Sequence, residues 1–215
     1  MRIGFIGDAH GDVARFRAGI ELLRAKNVAE IYNAGDIVPA RKEPIRGWFV
    51  DDVDLSALYT ATNRLQGVHG NHDQEFLQSE TRRLGGPAMR TYIKTLEEEI
   101  QIGEGILLTH APLSGEKTIV PWWNLELQFE LLENRCMRGS VFGHTHVRQL
   151  LYKENDVIKS KYPRIGETYE LREPFLVSLG PCGRYLSPQY IAASTVTVLD
   201  IQPERVDVTF HKIPS

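Results

Sequence analysis

Arg2-Ile3-Gly4-Phe5-Ile6-Gly7-Asp8-Ala9-His10-Gly11-Asp12 passes from an apolar run, through a glycine-flanked Asp-x-His, to the start of a helix. Arg2–Ile6 reads as a buried strand, because its apolar residues are not interrupted by polar alternation. Gly7 and Gly11 bracket the polar turn. Asp12 is placed to cap a helix whose apolar positions Val13, Phe16, Ile20 and Leu23 fall at helical spacing. A strand that empties into a polar loop and then a helix is an α/β unit, with its chemistry at the strand end.

The same arrangement recurs. Glu30–Asn33 reads as a strand ending at Gly35-Asp36. Val68 marks a short strand before Gly70-Asn71-His72-Asp73. Glu99–Ile102, a Gly103-Glu104-Gly105 turn and Ile106–Leu108 form a hairpin that delivers His110, and Ser140–Phe142 delivers His144 and His146. Helices are expected around Leu55, Leu58, Tyr59 and Leu65, around Met89, Tyr92, Ile93 and Leu96, and over Leu125–Leu132. The final third is β-rich, with Phe175–Ser178, Thr195–Ile201 and Val206–Ile213. Helix–strand alternation followed by antiparallel strands predicts an α/β sandwich of mixed sheets in one domain spanning residues 1–215. Residues 147–173 are polar and weakly patterned, and read as a flap or interface segment.

Composition excludes several classes. The formal net charge of −3 gives no general attraction to nucleic acid or an anionic membrane. Two cysteines, Cys136 and Cys182, are too few for a disulfide framework and read as reduced thiols. The apolar start is too short for a signal peptide, and no stretch approaches membrane-spanning length. A soluble, cytoplasmic protein is expected.

The motif residues are hard-to-borderline metal ligands. Asp8 and His10 can reach one ion across the turn at Gly11. Asp36 offers a carboxylate that can bridge two ions. Asn71 offers an amide oxygen, His110 and His144 offer ring nitrogens, and His146 returns to the first ion. Imidazole and carboxylate without thiolate favour two divalent transition-metal ions, Mn first, with Fe, Zn, Ni or Co as alternatives. Two such ions roughly 3.5–4 Å apart hold a hydroxide between them and clamp an in-line displacement at phosphorus.

Taken in order, Asp-x-His, Gly-Asp, Gly-Asn-His-Asp, a lone His and Gly-His-x-His resemble the calcineurin-like metallophosphoesterase superfamily. The motifs span residues 7–146. The chain's small size and the late Ser178-Leu179-Gly180-Pro181 resemble its compact bacterial and archaeal phosphodiesterase branch. The resemblance implies a four-layer α-β-β-α sandwich of two mixed β-sheets flanked by helices, with metals at the strand ends. It implies that Asp8, His10, Asp36 and His146 bind one metal, and that Asp36, Asn71, His110 and His144 bind the other. It also implies that His72 protonates or stabilises the leaving group, with Asp73 fixing the His72 ring.

The chain departs from its relatives in places. The compact branch often has Cys where His72 stands. Gly35-Asp36-Ile37-Val38-Pro39-Ala40-Arg41 lacks the second Asp of the protein-phosphatase pattern Gly-Asp-x-x-Asp-Arg-Gly. Asp12 stands where many relatives carry Asn. Arg41, Lys42 and Arg46 form a basic loop open to a substrate phosphate or to solvent. Trp122 and Trp123 are placed to stack on a nucleobase or to pack a dimer contact, and Cys182 and Arg184 to line the site. The expected partner is a small phosphoester or nucleotide, with phosphodiester favoured over phosphomonoester, protein phosphatase and dinucleoside polyphosphate substrates. Stable nucleic-acid binding and membrane association are not expected, and a homo-oligomer is possible. The non-enzymatic alternative is a binding scaffold on the same fold.

Overall fold

The computed structural model describes residues 1–39, 53–78, 85–113, 125–183 and 193–214. Strand β1 (Arg2–Ile6) is buried on both faces over Ile3–Ile6 because it runs mid-sheet. Its neighbours are β2 (Glu30–Asn33), parallel to it, and β11 (Thr195–Ile201), antiparallel. The first sheet continues outward from β2 to β3 (Gln66–Gly67). On the other side it runs from β11 to β12 (Val206–Lys212) and β9 (Thr168–Leu171). In the second sheet β4 (Glu99–Ile102), β5 (Ile106–Thr109), β6 (Gly139–Phe142), β10 (Phe175–Ser178), β7 (Gln149–Glu154) and β8 (Val157–Lys161) lie in that order. Its three central strands β5, β6 and β10 are parallel, and the flanking strands are antiparallel.

The sheets pack face to face. Ile3, Phe5 and Phe210 from the first meet Leu108, Val141, Phe175 and Val177 from the second in one apolar layer. Strand alternation produces this layer: Val206, Val208 and Phe210 of β12 point in, whereas Asp207, Thr209 and His211 do not. Helix α1 (Val13–Ala25) covers the outer face of the first sheet with Phe16, Ile20 and Leu23. Helix α5 (Leu125–Asn134) covers the second with Phe129 and Leu132. Helices α2 (Leu55–Thr62), α3 (Asn71–Gln78) and α4 (Gly86–Ile93) form a further apolar cluster. The expected α/β sandwich of two mixed sheets is the observed architecture. No helix among the described residues is long and apolar enough to cross a membrane.

Local readings hold with adjustments. The Asp12 side chain caps α1, accepting from the Arg15 N–H at 3.1 Å. Helix α2 stops before Leu65 and α4 before Leu96. Val68 lies just past β3 in an isolated bridge to Glu97. Helix α3 has no counterpart in the sequence reading, because its first turn is the Asn71-His72-Asp73 motif itself.

The larger difference is residues 147–173, read as a flap or interface segment. They contain β7, β8 and β9, which extend both sheets. Strands β7 and β8 join through Asn155-Asp156, both with positive φ (50° and 62°), the geometry of a tight primed hairpin turn. Strand β8 is a sheet edge, and Val157, Lys159, Ser160 and Lys161 are exposed. An edge strand carrying lysines has no buried face to impose alternation.

Phe5 sits in the inter-sheet layer with no exposure, its ring 6.1 Å from that of Tyr32. Phe5→Ala should cost about 3–5 kcal/mol in chemical denaturation, the range for a cavity of that size in a packed core. A loss below about 1 kcal/mol would mean that the two sheets do not pack through this layer.

Candidate metal centre

The parallel strands β1, β2, β5 and β6 end at one edge, and each delivers a motif there. The chain must leave each strand sharply while aiming a side chain inward. Asp8, His10, Asp36, His144 and His146 therefore all adopt positive φ, between 46° and 65°. Non-glycine residues enter this region at an energetic cost, and such residues cluster at functional sites. Of the nine described non-glycine residues with positive φ, these five share one site.

Glycine permits the close approach. A Cβ on Gly70 would lie 2.0 Å from Asp36 Oδ1, and one on Gly143 would lie 2.7 Å from Asp8 Oδ2. Both carboxylates are buried, at 0% and 1% exposure for Asp8 and Asp36. The His144 N–H donates to both oxygens of Asp8 at 3.1 Å, and the His72 N–H donates to Asp36 Oδ1 at 2.9 Å.

Two groups of donor atoms result. In the first, His10 Nε2 and His146 Nε2 are 2.9 Å apart, and Asp8 Oδ1 is 3.3 Å from His146 Nε2. In the second, Asn71 Oδ1 is 3.0 Å from His144 Nδ1 and 3.2 Å from His110 Nε2. His110 Nε2 is 3.3 Å from both His144 Nδ1 and Asp36 Oδ2. Atoms bonded to one ion at about 2.0–2.2 Å sit about 3.0–3.5 Å from one another on adjacent corners of its polyhedron. These atoms are spaced to hold cations, and Asp36 belongs to two of the clusters that could do so, one with His10 and His72 and one with His110 and His144. The His110 Nδ1–H donates to the Ala34 carbonyl at 2.8 Å, which turns the Nε2 lone pair toward the centre.

The electrostatics are those of a ligand set. Burial, with the neighbouring His146, pulls His10 down to about 3, so its ring is neutral. Burial opposes protonation of His110, but the charge and hydrogen bond of Asp36, with Asp8 nearby, raise it to about 10. Asp36 is lowered in turn: burial would raise it, and the His110 charge and hydrogen bond prevail. Asp8 is likewise lowered, His146 outweighing burial. The proton on His110 thus stands where a cation would compete for the same lone pair.

Asp73 does something other than the sequence reading. It was expected to hold the His72 ring. Instead Oδ1 accepts from the Ile37 and Val38 N–H groups at 3.0 and 3.2 Å, and Oδ2 accepts from the Gly70 N–H at 2.9 Å. It pins the Gly70–Asp73 turn against the loop carrying Asp36. Burial, reinforced by the charge of Asp36, lifts its pKa to about 7 against the Gly70 and Val38 donors. His72 Nδ1 is buried without a partner, and Nε2 lies 3.5 Å from Asp36 Oδ2. Cys182 does not line the site either. It is fully buried in the apolar cluster beneath α1, and burial raises its thiol pKa. The backbone of its loop does reach the site, through Cys182 N–H to Gly7 O at 2.9 Å and Gly183 N–H to Asp8 O at 3.1 Å. Residues 40–47 with Arg41, Lys42 and Arg46, and Trp122, Trp123 and Arg184, lie outside the described residues.

Two supporting groups had no signal of their own in the sequence. Thr145, between the paired histidines, has its hydroxyl 2.6 Å from Ser178 Oγ and 3.2 Å from the Val147 N–H, which it accepts. Ser178 donates to the Val147 carbonyl at 2.8 Å. This closed ring holds the two left-handed histidines in register with β10.

The pattern of the calcineurin-like phosphoesterase superfamily domain matches residues 1–201, and the chain belongs to that family. No curated protein matches it. Among solved structures, a metallophosphoesterase from Sphaerobacter thermophilus superposes with a TM-score of 0.68 at 18% identity, over 100% of this chain and 89% of the other. An archaeal phosphodiesterase superposes at 0.52 and 17%, over 98% and 99%. Zinc-complexed Vps29 from Entamoeba histolytica gives 0.50 and 16%, over all of both chains. At these identities the likeness is one of fold.

Because His110 is protonated up to about pH 10, a cation must displace that proton. Mn²⁺ affinity should therefore rise between pH 6 and pH 9, with about one proton released per ion entering the Asp36–His110 group. Titration calorimetry in buffers of different ionisation enthalpy measures both. A pH-independent affinity without proton release would show that His110 is not displaced.

Proposed function

We propose that the protein is a metal-dependent phosphoric ester hydrolase, with phosphodiesters as its favoured substrates and a dinuclear centre bridged by Asp36. The observation that carries this reading is the convergence of seven oxygen and nitrogen donors at ligand-to-ligand spacing. His72 stands beside them with Nε2 facing inward. Asp8, His10, Asp36 and His146 hold one ion, and Asp36, Asn71, His110 and His144 the other. Manganese suits this donor set, with Fe, Zn, Ni or Co as alternatives. When bound, two such ions supply Lewis acidity, acidifying a water and drawing charge from a phosphoryl group.

The protein's own residues orient and protonate. Asp36 and Asp8, each fixed by a backbone N–H, keep the donors in place without reorganisation. His72 is anchored by its backbone to Asp36 and carries an inward Nε2, so it can give a proton to the departing oxygen. Phosphomonoester and dinucleoside polyphosphate substrates use the same groups. The alternative of a binding scaffold draws on the fold shared with Vps29; the complete donor set and His72 favour catalysis.

Purified protein should hydrolyse bis(p-nitrophenyl) phosphate when Mn²⁺ is added and lose that activity to a chelator. Asp36→Ala should lose both ions, and His146→Ala one. Activity that survives exhaustive chelation, or full metal content in Asp36→Ala, would overturn the reading.

The His72 role has its own test. His72→Asn should retain both metals and lose about 10²–10⁴-fold in kcat toward alkyl or nucleoside esters, with a smaller loss toward nitrophenyl esters. An equal loss on both ester types would remove the proton-donor role. Loss of an ion would make His72 a ligand, which its place beside His10 and Asp36 also permits.

A further inference from the structure

Arg148 is a half-buried cation at the edge where the donors converge, and among the described residues it has no ion-pair partner. The topology fixes its location. Strand β10 is parallel to β6, so its C-terminal end lies at the same edge as His144 and His146. Strand β7 runs antiparallel to β10, with Gln149 opposite Ser178. Arg148 immediately precedes β7, and so sits at that edge, two residues beyond His146.

Its side chain then packs against Gly180, at the start of the Gly180–Gly183 loop. A Cβ on Gly180 would meet Arg148 Cγ at 2.7 Å, so the bare glycine makes room for the arginine stem. That same loop donates from Cys182 and Gly183 to the carbonyls of Gly7 and Asp8. The loop therefore bridges Arg148 to the Asp8 side of the centre.

The guanidinium is poorly satisfied there. Nη1 makes one long bond, 3.4 Å, to the Ala193 carbonyl, and Nε is buried without a partner. Among the described residues no carboxylate lies within ion-pair distance of it. The other half-buried arginine at a strand end, Arg138, shows the contrast: it pairs with Glu173 and donates to the carbonyls of Gln202 and Pro203 at 2.8 Å each. A desolvated guanidinium left without an anion is costly. Its planar fork of donors matches a phosphate oxygen pair.

We propose that Arg148 is a substrate-binding residue that pairs with an anionic phosphate oxygen of the substrate on the Asp8–His10–His146 side. The proposal rests on the phosphoester reading of the same site and adds the residue that grips the anion. The oxygen belongs either to the reacting phosphoryl group or to a second phosphate on the same substrate.

The test uses Arg148→Met and Arg148→Lys in the full-length Mn²⁺-loaded protein. Four quantities are read: Mn²⁺ content, the Kd of inorganic phosphate by calorimetry, and KM and kcat for both bis(p-nitrophenyl) phosphate and a dinucleoside polyphosphate. Arg148→Met should keep the metal content of the parent protein and raise the phosphate Kd roughly ten- to hundredfold, the value of a charge-assisted hydrogen bond. Arg148→Lys should fall between, keeping the charge but losing the fork. A KM rise on both substrates with kcat little changed places the contact on the reacting group; a rise on the polyphosphate alone places it on a second phosphate. Unchanged phosphate Kd and KM in Arg148→Met, with metals intact, would overturn the proposal. So would loss of metal, which would make Arg148 a structural support. If the parent protein binds phosphate through Arg148 yet hydrolyses neither ester, the hydrolase reading falls and the anion site stands.

Discussion

The buried carboxylate of Asp36 is the contact on which the rest of the site depends. One oxygen receives the His72 N–H, and the other faces the rings of His110 and His72. Burying such a charge costs several kcal/mol unless partners surround it. Here the partners come from two separate strand ends, so the carboxylate ties the loop after β2 to the first turn of α3. Asp73 ties the same two pieces a second time through three backbone N–H groups. Gly70 has to be glycine between them, because any side chain would enter the Asp36 carboxylate. Two acids and a glycine therefore act as one joint, and Asn71, which that joint carries, turns its amide oxygen to His110 and His144.

The left-handed backbone at Asp8, His10, Asp36, His144 and His146 shows where the fold spends stability. Each such residue costs of order 1–3 kcal/mol and persists only where its surroundings over-determine it. The surroundings are visible. The Asp8 N–H donates to Gly35 O, the His10 N–H to Asp36 O, and the Thr145–Ser178–Val147 ring holds the last motif. Side chains held this way are tied to the backbone around them, which is what electrostatic pre-organisation requires.

Much of this was legible in the sequence because each motif combines a local rule with a chemical one. Gly-Asp and Gly-His-x-His announce a turn and a donor together, and the apolar run before each announces a strand. Asp12 as a cap was readable from position alone. Other features depend on partners that no local pattern names. Asp73 follows His72 in the chain, and the family resemblance implied an Asp–His pair. Inside the first turn of α3, however, its carboxylate faces the backbone of residues 37 and 38, across thirty-five residues of chain. Cys182 sits in a glycine-rich loop that does reach the site, yet its side chain turns the other way, into the α1 cluster. Strands β8 and β9 escaped notice because they are short edge strands with few buried residues, Ile158 partly covered in one and Tyr169 and Leu171 covered in the other. The Thr145–Ser178 ring and the placement of Arg148 are products of the β7–β10 register, which only the assembled sheet displays.

The division between core and site also decides how metal and fold are related. The apolar layer between the sheets is built from strand interiors such as Ile3, Phe5, Val141, Phe175 and Phe210, and contains none of the seven donors. The donors lie beyond the strand ends, Asn71 in the first turn of α3 and the rest in loops, and hydrogen bonds to backbone hold Asp8, Asp36 and His110 there. In small zinc domains binding energy is folding energy, because the site does not exist before the ion arrives. Here the donors are held by backbone hydrogen bonds, from the His144 N–H to Asp8 and from the His72 N–H to Asp36, and the Asp36 charge beside His110 favours a proton on that ring. His10 and His146, whose facing nitrogens lie 2.9 Å apart, hold one another by a hydrogen bond whose donor the tautomers decide.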